Sequence, residues 1–494
     1  MSHAAVVLAG LLAFLDLART AGATTPDDIC PAAQDPCLVT VSQTVTSGSD
    51  LDFGDRDLIV KLGKSLDVGP GSMTIRARSV KLESSAKILG AGGTISITAT
   101  AGDIVLENLS GAPKIDVSDA GGGGDLTLVA SGGVAIDGYL YAKGGSDTSG
   151  DNDGGSIRVV AQAGDIHFSN GGFAVNAPGD GFGGTVELDA AGDVLFDAPA
   201  DALTLAGGSQ GGGGECSVLA GGAIAVDQTI DASGGGVSDG GSITLQSGGN
   251  TTTTAKLDVT GGAICGAGGS VTIGAGGDVS LGGSVVGPGG GSITQNCGED
   301  GASLDVSANG AIAVNAPIVT AGGAGDNAGD GGDVSIAAGT SLTLIGPINT
   351  GGGNDSASDA PEAGDAGDVS LSAGAALTVD NDIDAGGGHA SDGSSGYGGD
   401  VTLAGCTVGI PAGVEVSAEG DLLGSNTLQA GELATVAGRL LAADFNDVRY
   451  RDPLAPPDLT LATLLPPTVP ILDPTLPACG TCGDGVLSPA LGEE

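Results

Sequence analysis

A Gly-Gly pair, or a near variant, followed by alternating polar and apolar residues recurs along most of this chain. The units begin at Gly92, Gly123, Gly154, Gly183, Gly213, Gly240, Gly268, Gly301, Gly331, Ala366 and Gly398, ten steps over 306 residues and a mean of 30.6 per unit. Such a period marks a solenoid, whose units bury their apolar faces only by stacking. The unit from Gly331 holds three strand signals: Val334-Ser335-Ile336, Leu342-Thr343-Leu344 and Ile348-Asn349-Thr350. Side chains alternate across a strand, so Val334 and Ile336 point inward and Ser335 outward. The same register in Ile243-Thr244-Leu245, Val271-Thr272-Ile273 and Val369-Ser370-Leu371 makes one interior column.

The pattern predicts an all-β fold: a single-stranded right-handed parallel β-helix of eleven or more coils, with three short strands in each. The rest of each coil supplies the crossover that parallel pairing needs. Glycines are expected at the corners for positive φ and for close backbone approach. A sandwich or propeller would bring hairpin turns or aromatic blade motifs, and neither is prominent. Although 96 of 494 residues are Gly, a hydrophobic fraction of 40% argues against disorder.

The flanks depart from the repeat. Residues 1–23 read as a signal peptide, with an apolar run from Ala4 to Leu17 and a small-x-small site at Ala21-Gly22-Ala23. The run is too short to span a bilayer, which predicts a secreted or outer-surface protein with no transmembrane segment. Residues 24–70 are expected to hold an N-terminal cap and the first strands, and 71–421 the repeats. Residues 422–452 are then a C-terminal cap, 453–478 a Pro-rich extended linker, and 479–494 the start of a Cys-rich segment. In an exported chain the cysteines favour disulfides. Cys30 and Cys37 can close a small loop, and Cys265 and Cys297 lie one repeat apart; Cys479 and Cys482 are further candidates. Cys216 falls at an inward strand position.

The net charge of -45 is uneven, with Lys256 the one basic side chain between residues 159 and 438. That excludes nucleic acid as a partner, because phosphate binding needs clustered Lys and Arg. Arg56, Lys61, Lys64, Arg76, Arg78, Lys81 and Lys87 gather near the N-terminal end. They read as a solvated face of the first coils, with contact to an anionic glycan or lipid as the alternative.

Ile230-Asp231-Ala232-Ser233-Gly234-Gly235 and Gly331-Gly332-Asp333-Val334-Ser335-Ile336 resemble the repeats of filamentous-haemagglutinin-like exoproteins with the pectin-lyase-like β-helix fold. The resemblance covers roughly residues 70 to 420 and implies surface display or secretion, with adhesion the commonest role; no two-partner secretion domain is recognisable at the N-terminus. Cys482-Gly483-Asp484-Gly485-Val486-Leu487-Ser488-Pro489, followed by Gly492-Glu493-Glu494, is similar to the opening of the Cys-rich repeats of myxobacterial surface proteins. In that family a cysteine follows Gly-Glu-Glu, which implies that Cys479 and Cys482 lack their partners here.

The functional expectation is a non-catalytic structural or adhesin-like protein whose partners are cell-surface or matrix glycans or proteins, with no cofactor required. The alternative is a polysaccharide lyase or glycoside hydrolase. Asp333, Asp368 and Asp400 hold one pre-strand position in three successive units, close to the carboxylate spacing of retaining glycosidases, with His389 and Tyr397 as possible neighbours. The competing reading is that these aspartates accept backbone amides in Gly-rich turns, as Asp103, Asp165, Asp193 and Asp278 would elsewhere. His167 reads as an outward strand residue. Ice binding needs a regular outward Thr array, and Thr251 to Thr254 form one patch only.

Three expanded acidic turns, at residues 322–333, 351–368 and 386–400, also raise structural calcium. Its candidate ligands are Asp330, Asp333, Asp365, Asp368 and Asp400, beside Asp326, Asp355, Asp359, Glu362 and Asp392. Hydrated acidic loops are the competing reading.

Overall fold

The computed structural model describes residues 23–146, 152–197, 202–292, 297–355, 363–391, 393–421 and 423–479. The expected signal-peptide residues 1–22, Asp359, Glu362, Asp392 and Cys482 lie outside them.

One coil shows the plan. Strands Asp125–Ala130, Val134–Asp137 and Tyr139–Tyr141 lie on three faces, here A, B and C, before the chain turns back to face A at Ser156–Ala161. Each residue pairs in parallel with its counterpart one coil on: Leu126 with Ile157, Val134 with Ile166, Leu140 with Phe173. Face C is a 16-stranded sheet. Faces A and B form a 29-stranded sheet, joined where Val401–Ile410 and Ser425–Val436 run round the corner unbroken. The fold is thus a parallel β-helix, and the outward column Ser96, Thr127, Arg158, Glu187, Ser217, Thr244 stacks in register as the alternation predicts.

The interior is a set of aliphatic columns. On face A, Ile95 and Ile97 lie under Leu126 and Leu128, then Ile157 and Val159, all essentially inaccessible. Burying each such side chain contributes about 1.5–3 kcal/mol. Alanine holds the third inward place at the A–B corner (Ala99, Ala130, Ala161, Ala190, Ala220), where the chain bends and space is short. Phe168 packs on Phe173 and Phe196, with ring centroids 4.2 and 5.3 Å apart. Cys216 lies in face A's column and burial pushes its thiol up to about 12.

The register gives the length of each coil. Ser49 sits opposite Met73, 24 residues on, and Met73 opposite Ile95, 22 on. Thr94 sits opposite Asp125, 31 on, Val334 opposite Val369, 35 on, and Ser425 opposite Phe445, 20 on. The strands scarcely change, so the extra residues collect in the turn from face C to face A.

That turn is itself ordered. A zigzag of backbone hydrogen bonds descends from coil to coil: Gly388 N to Gly364 O, Gly364 N to Gly353 O, Gly353 N to Gly329 O, Gly329 N to Gly323 O, Gly323 N to Glu299 O. It continues through Gly290, Gly266, Gly262, Ser238, Gly235, Gly211 and Gly208 to Gly181 O, with bonds of 2.7–3.1 Å.

Both roles expected of glycine occur, positive φ at Gly54 and Gly63 in the short N-terminal coils and close backbone approach at Gly213 and Gly241 of the repeat. A Cβ on Gly213 would overlap Ala232 O, and one on Gly241 would overlap Gly214 O. Coils begin already at Cys37–Val39, which leaves the short helix Pro26–Ile29 and its flanks as the N-terminal cover. Residues 425–450 are further coils and not a separate cap. The Pro-rich stretch is not a free linker: Thr463–Leu465 pairs with Arg439–Leu441, and Ile471–Leu472 with Arg449–Tyr450. Leu459, Ala462 and Leu464 pack on the core, and proline is tolerated there because these are the last strands of their sheets. Thr251 and Thr253 point into the core on face B, so they form no surface patch.

Near the C-terminal end, asparagine enters the inward column. Asn426 Nδ2 donates to Leu441 O (2.8 Å) and to Asn446 Oδ1 (2.9 Å), while Asn446 Nδ2 donates to Pro466 O (2.8 Å). Disulfides join Cys30 to Cys37 and Cys265 to Cys297. A third joins Cys479 to Cys406, so Cys479 has its partner within this chain, 73 residues away. The tail can approach there because residue 431 is glycine; a Cβ would strike Cys479 Sγ.

Candidate functional site

The aspartates singled out in the sequence fall into ladders in which each carboxylate accepts the amide one coil further on. Asp368 N donates to Asp333 Oδ1 (2.8 Å) and Asp400 N to Asp368 Oδ1 (2.7 Å); Ser425 N and Oγ donate to Asp400 Oδ1 (3.0 and 2.7 Å). A second ladder runs three residues earlier. Asp330 N donates to Asp300 Oδ1 (2.9 Å), Asp365 N to Asp330 Oδ1 (2.8 Å) and Tyr397 N to Asp365 Oδ1 (2.7 Å). The A–B corner has its own: Asp103, Asp165, Asp193 and Asp278 accept Gly133, Asp193, Ala223 and Ala311 amides at 2.7–2.8 Å. Asn250 serves the same purpose, accepting Asp278 N at 2.9 Å.

The five calcium candidates are therefore split between two ladders. Among the described residues no group of three or more His, Cys, Asp or Glu side chains converges as a metal site would. Partial burial pushes the Asp330 carboxyl up, and Asp365 and Asp300 add to this against the Asp365 amide. Burial likewise raises Glu299, with Asp300 and Asp239 adding to it.

The two ladders are the walls of a shallow trough. Its floor near Phe182 is half-buried backbone at Gly183, Gly213, Gly240 and Gly241, while Gly184 and Gly214 are buried. Thr185, Glu215, Ser242 and Ser270 line one wall, and Phe182, 58% exposed, stands on the other. Phe182 N donates to Asp153 Oδ1 (2.8 Å), the bond that Tyr397 makes with Asp365, so both aromatics occupy the same wall column. Farther along, near Tyr397, lies a more enclosed cleft of about 340 Å³. There Asp365, Asp368 and Asp400 meet Tyr397 (43% exposed) and Phe445 (45% exposed) over Gly398-Gly399. The alternation of apolar residues fixed the positions of Asp368 and Asp400, but carried no signal that Phe445 would join them.

His389 is elsewhere. It lines a separate polar hollow with Asn354, Asp384 and Glu419, and its Nδ1 lies 3.0 Å from Ser395 Oγ. His167 is outward, with Nε2 2.7 Å from Asp197 Oδ2 in the next coil. Five of the seven basic residues of the first coils pair with acids: Arg78 with Asp57 (2.6 Å) and Asp35, Lys81 with Glu107 (2.9 Å), Arg76 with Asp52, Arg56 with Asp27, Lys61 with Glu83. Hydrogen bonds from Arg78 and Lys61 pull the Asp57 and Glu83 carboxyls down. No helix among the described residues is long and apolar enough to cross a membrane.

Compared with known proteins, the chain matches no family model, no curated protein and no solved structure.

Proposed function

We propose that the chain is a non-catalytic rod, secreted or displayed at the outer cell surface, with a structural or adhesive role. One observation carries this reading: the aspartates that would do chemistry each spend an oxygen on the amide of the next coil. The same bond is made by aspartates far from the cleft. Carboxylates used this way are parts of the scaffold. The expected result is no cleavage of polygalacturonate or other acidic glycans by purified protein, and saturable binding to cells or matrix.

A polysaccharide-cleaving enzyme is the second reading, favoured by the cleft where Asp368 and Asp400 meet Tyr397 and Phe445. Turnover of any glycan that Asp400→Asn abolishes would put this reading first. Asparagine keeps the ladder acceptor, as Asn250 does, so a loss would report chemistry and not folding.

A further inference from the structure

We propose that the glycine-floored trough binds a linear glycan whose sugars carry free amines. The proposal rests on the adhesive reading and names its ligand class.

Length points to a polymer. From Phe182 to Tyr397 the wall column takes seven steps (182, 212, 239, 267, 300, 330, 365, 397), roughly 34 Å at the strand spacing. Hollows lie at both ends of that span, around Phe182 and around Tyr397.

Charge points to amines. Asp300, Asp330 and Asp365 stand on one wall and Asp333, Asp368 and Asp400 on the other. Each gives Oδ1 to a backbone amide and leaves Oδ2 without a hydrogen bond among the described residues. Lys256, the one basic residue between 159 and 438, pairs with Asp258 in the face C strand, so the trough holds no cation of its own. An anionic polymer would be repelled, whereas ammonium groups spaced along a chain would meet a carboxylate at successive coils.

The aromatic rings point to sugars. Phe182 and Tyr397 stand at the two ends of the wall column, which otherwise holds Gly212, Asp239, Ala267, Asp300, Asp330 and Asp365, and they keep exposed faces, which suit the C–H face of a pyranose and attract a nearby ammonium. Between them the floor is glycine backbone broken only by the small side chains of Ala302 and Ala366, so a flat ring can lie close to it.

The test is titration calorimetry on the full chain with a glucosamine oligomer, its fully N-acetylated counterpart, and poly-L-lysine. The glucosamine oligomer is expected to bind, and the acetylated one at least about tenfold more weakly. Phe182→Ala and Tyr397→Ala should each weaken binding about fivefold with the circular dichroism unchanged. Asp365→Asn and Asp368→Asn, which retain the ladder acceptor, should weaken it as well. Equal affinity for the acetylated oligomer overturns the amine assignment. Tight poly-L-lysine binding, together with glucosamine binding that ignores the aromatic substitutions, reduces the trough to diffuse electrostatics and overturns the sugar assignment. If no oligomer binds while the protein still adheres to cells, the ligand class fails and the adhesive reading stands; if adhesion is absent too, both fall.

Discussion

The first coils, from Cys37 to about Gly93, and the expanded coils between Thr94 and Asp400 share their strands and differ in how they turn. In the short coils Gly48, Gly54, Gly63 and Gly69 are glycine for their dihedrals, although Gly71 and Gly93 are already tight against neighbours. Gly54 and Gly63 have φ of +63° and +65°, and nothing lies within 4 Å of where a Cβ would stand. In the expanded coils glycine is chosen for its size, since backbone lies on backbone at Gly213, Gly241 and along the zigzag. Charge is handled differently too. The short coils neutralise their acids with Arg78 and Lys61, whereas the expanded coils stack aspartates such as Asp300, Asp330 and Asp365 whose carboxylates accept backbone amides. One residue type can thus recur through a repeat for two unrelated physical reasons, and substitution separates them.

The largest effect is expected from the glycines. Gly213→Ala or Gly241→Ala must push two backbones apart and should cost more than about 3 kcal/mol, or abolish folding. Gly54→Ala meets only the left-handed penalty of about 1–2 kcal/mol. Urea unfolding monitored by circular dichroism measures both, and equal costs would erase the distinction.

Acid should move the two regions in opposite directions. Asp57 and Glu83 have lowered folded pKa values, so their contribution is present above the unfolded value of about 4 and is lost as pH falls below it. Asp330 and Glu299 have raised folded values, so they oppose folding at neutral pH and this cost is lifted as pH falls through those values toward about 4. Hydrogen exchange, corrected for intrinsic rates, should show the acidic turns gaining protection between pH 7 and about 4, and the first coils losing it below. Parallel responses would contradict the electrostatic contrast.

The ladders give a smaller effect. Asp193→Asn should stay within about 0.5 kcal/mol of the parent, because the acceptor is kept. Asp193→Ala should cost about 1 kcal/mol through the lost hydrogen bond. Smallest is calcium: with the candidate carboxylates split between two ladders, millimolar Ca²⁺ at matched ionic strength should shift the melting midpoint by less than about 1 °C. A larger shift with calorimetric uptake would restore a metal to the acidic turns.

The coil was readable from the sequence because aliphatic alternation reports directly which side chains face in. The pairs Cys30–Cys37 and Cys265–Cys297 were readable because a short loop or a single period separates them. Cys406–Cys479 was not, since its geometry depends on the tail's path across the A–B corner. The inward Thr251 and Thr253 were hidden in a run of four threonines, where alternation leaves no trace. The prolines of 453–478 suggested a spacer, yet Leu464 finds the core and the chain makes another turn. The trough escaped notice for a related reason. A Gly-Gly pair reads as punctuation, and the surface it leaves bare has no side chains to announce it.

The Cys406–Cys479 bond bears on how the rod would respond to tension. A pull applied to the chain beyond Cys479 enters the solenoid at Cys406, and the 72 residues between the two cysteines (479 − 406 − 1) carry none of it. About 250 Å of potential extension is thereby withheld, at roughly 3.4 Å per residue. The last coils, with their asparagine column and proline-rich strands, are spared the load, and the first segment asked to yield is the face A strand from Gly405 back to Val401.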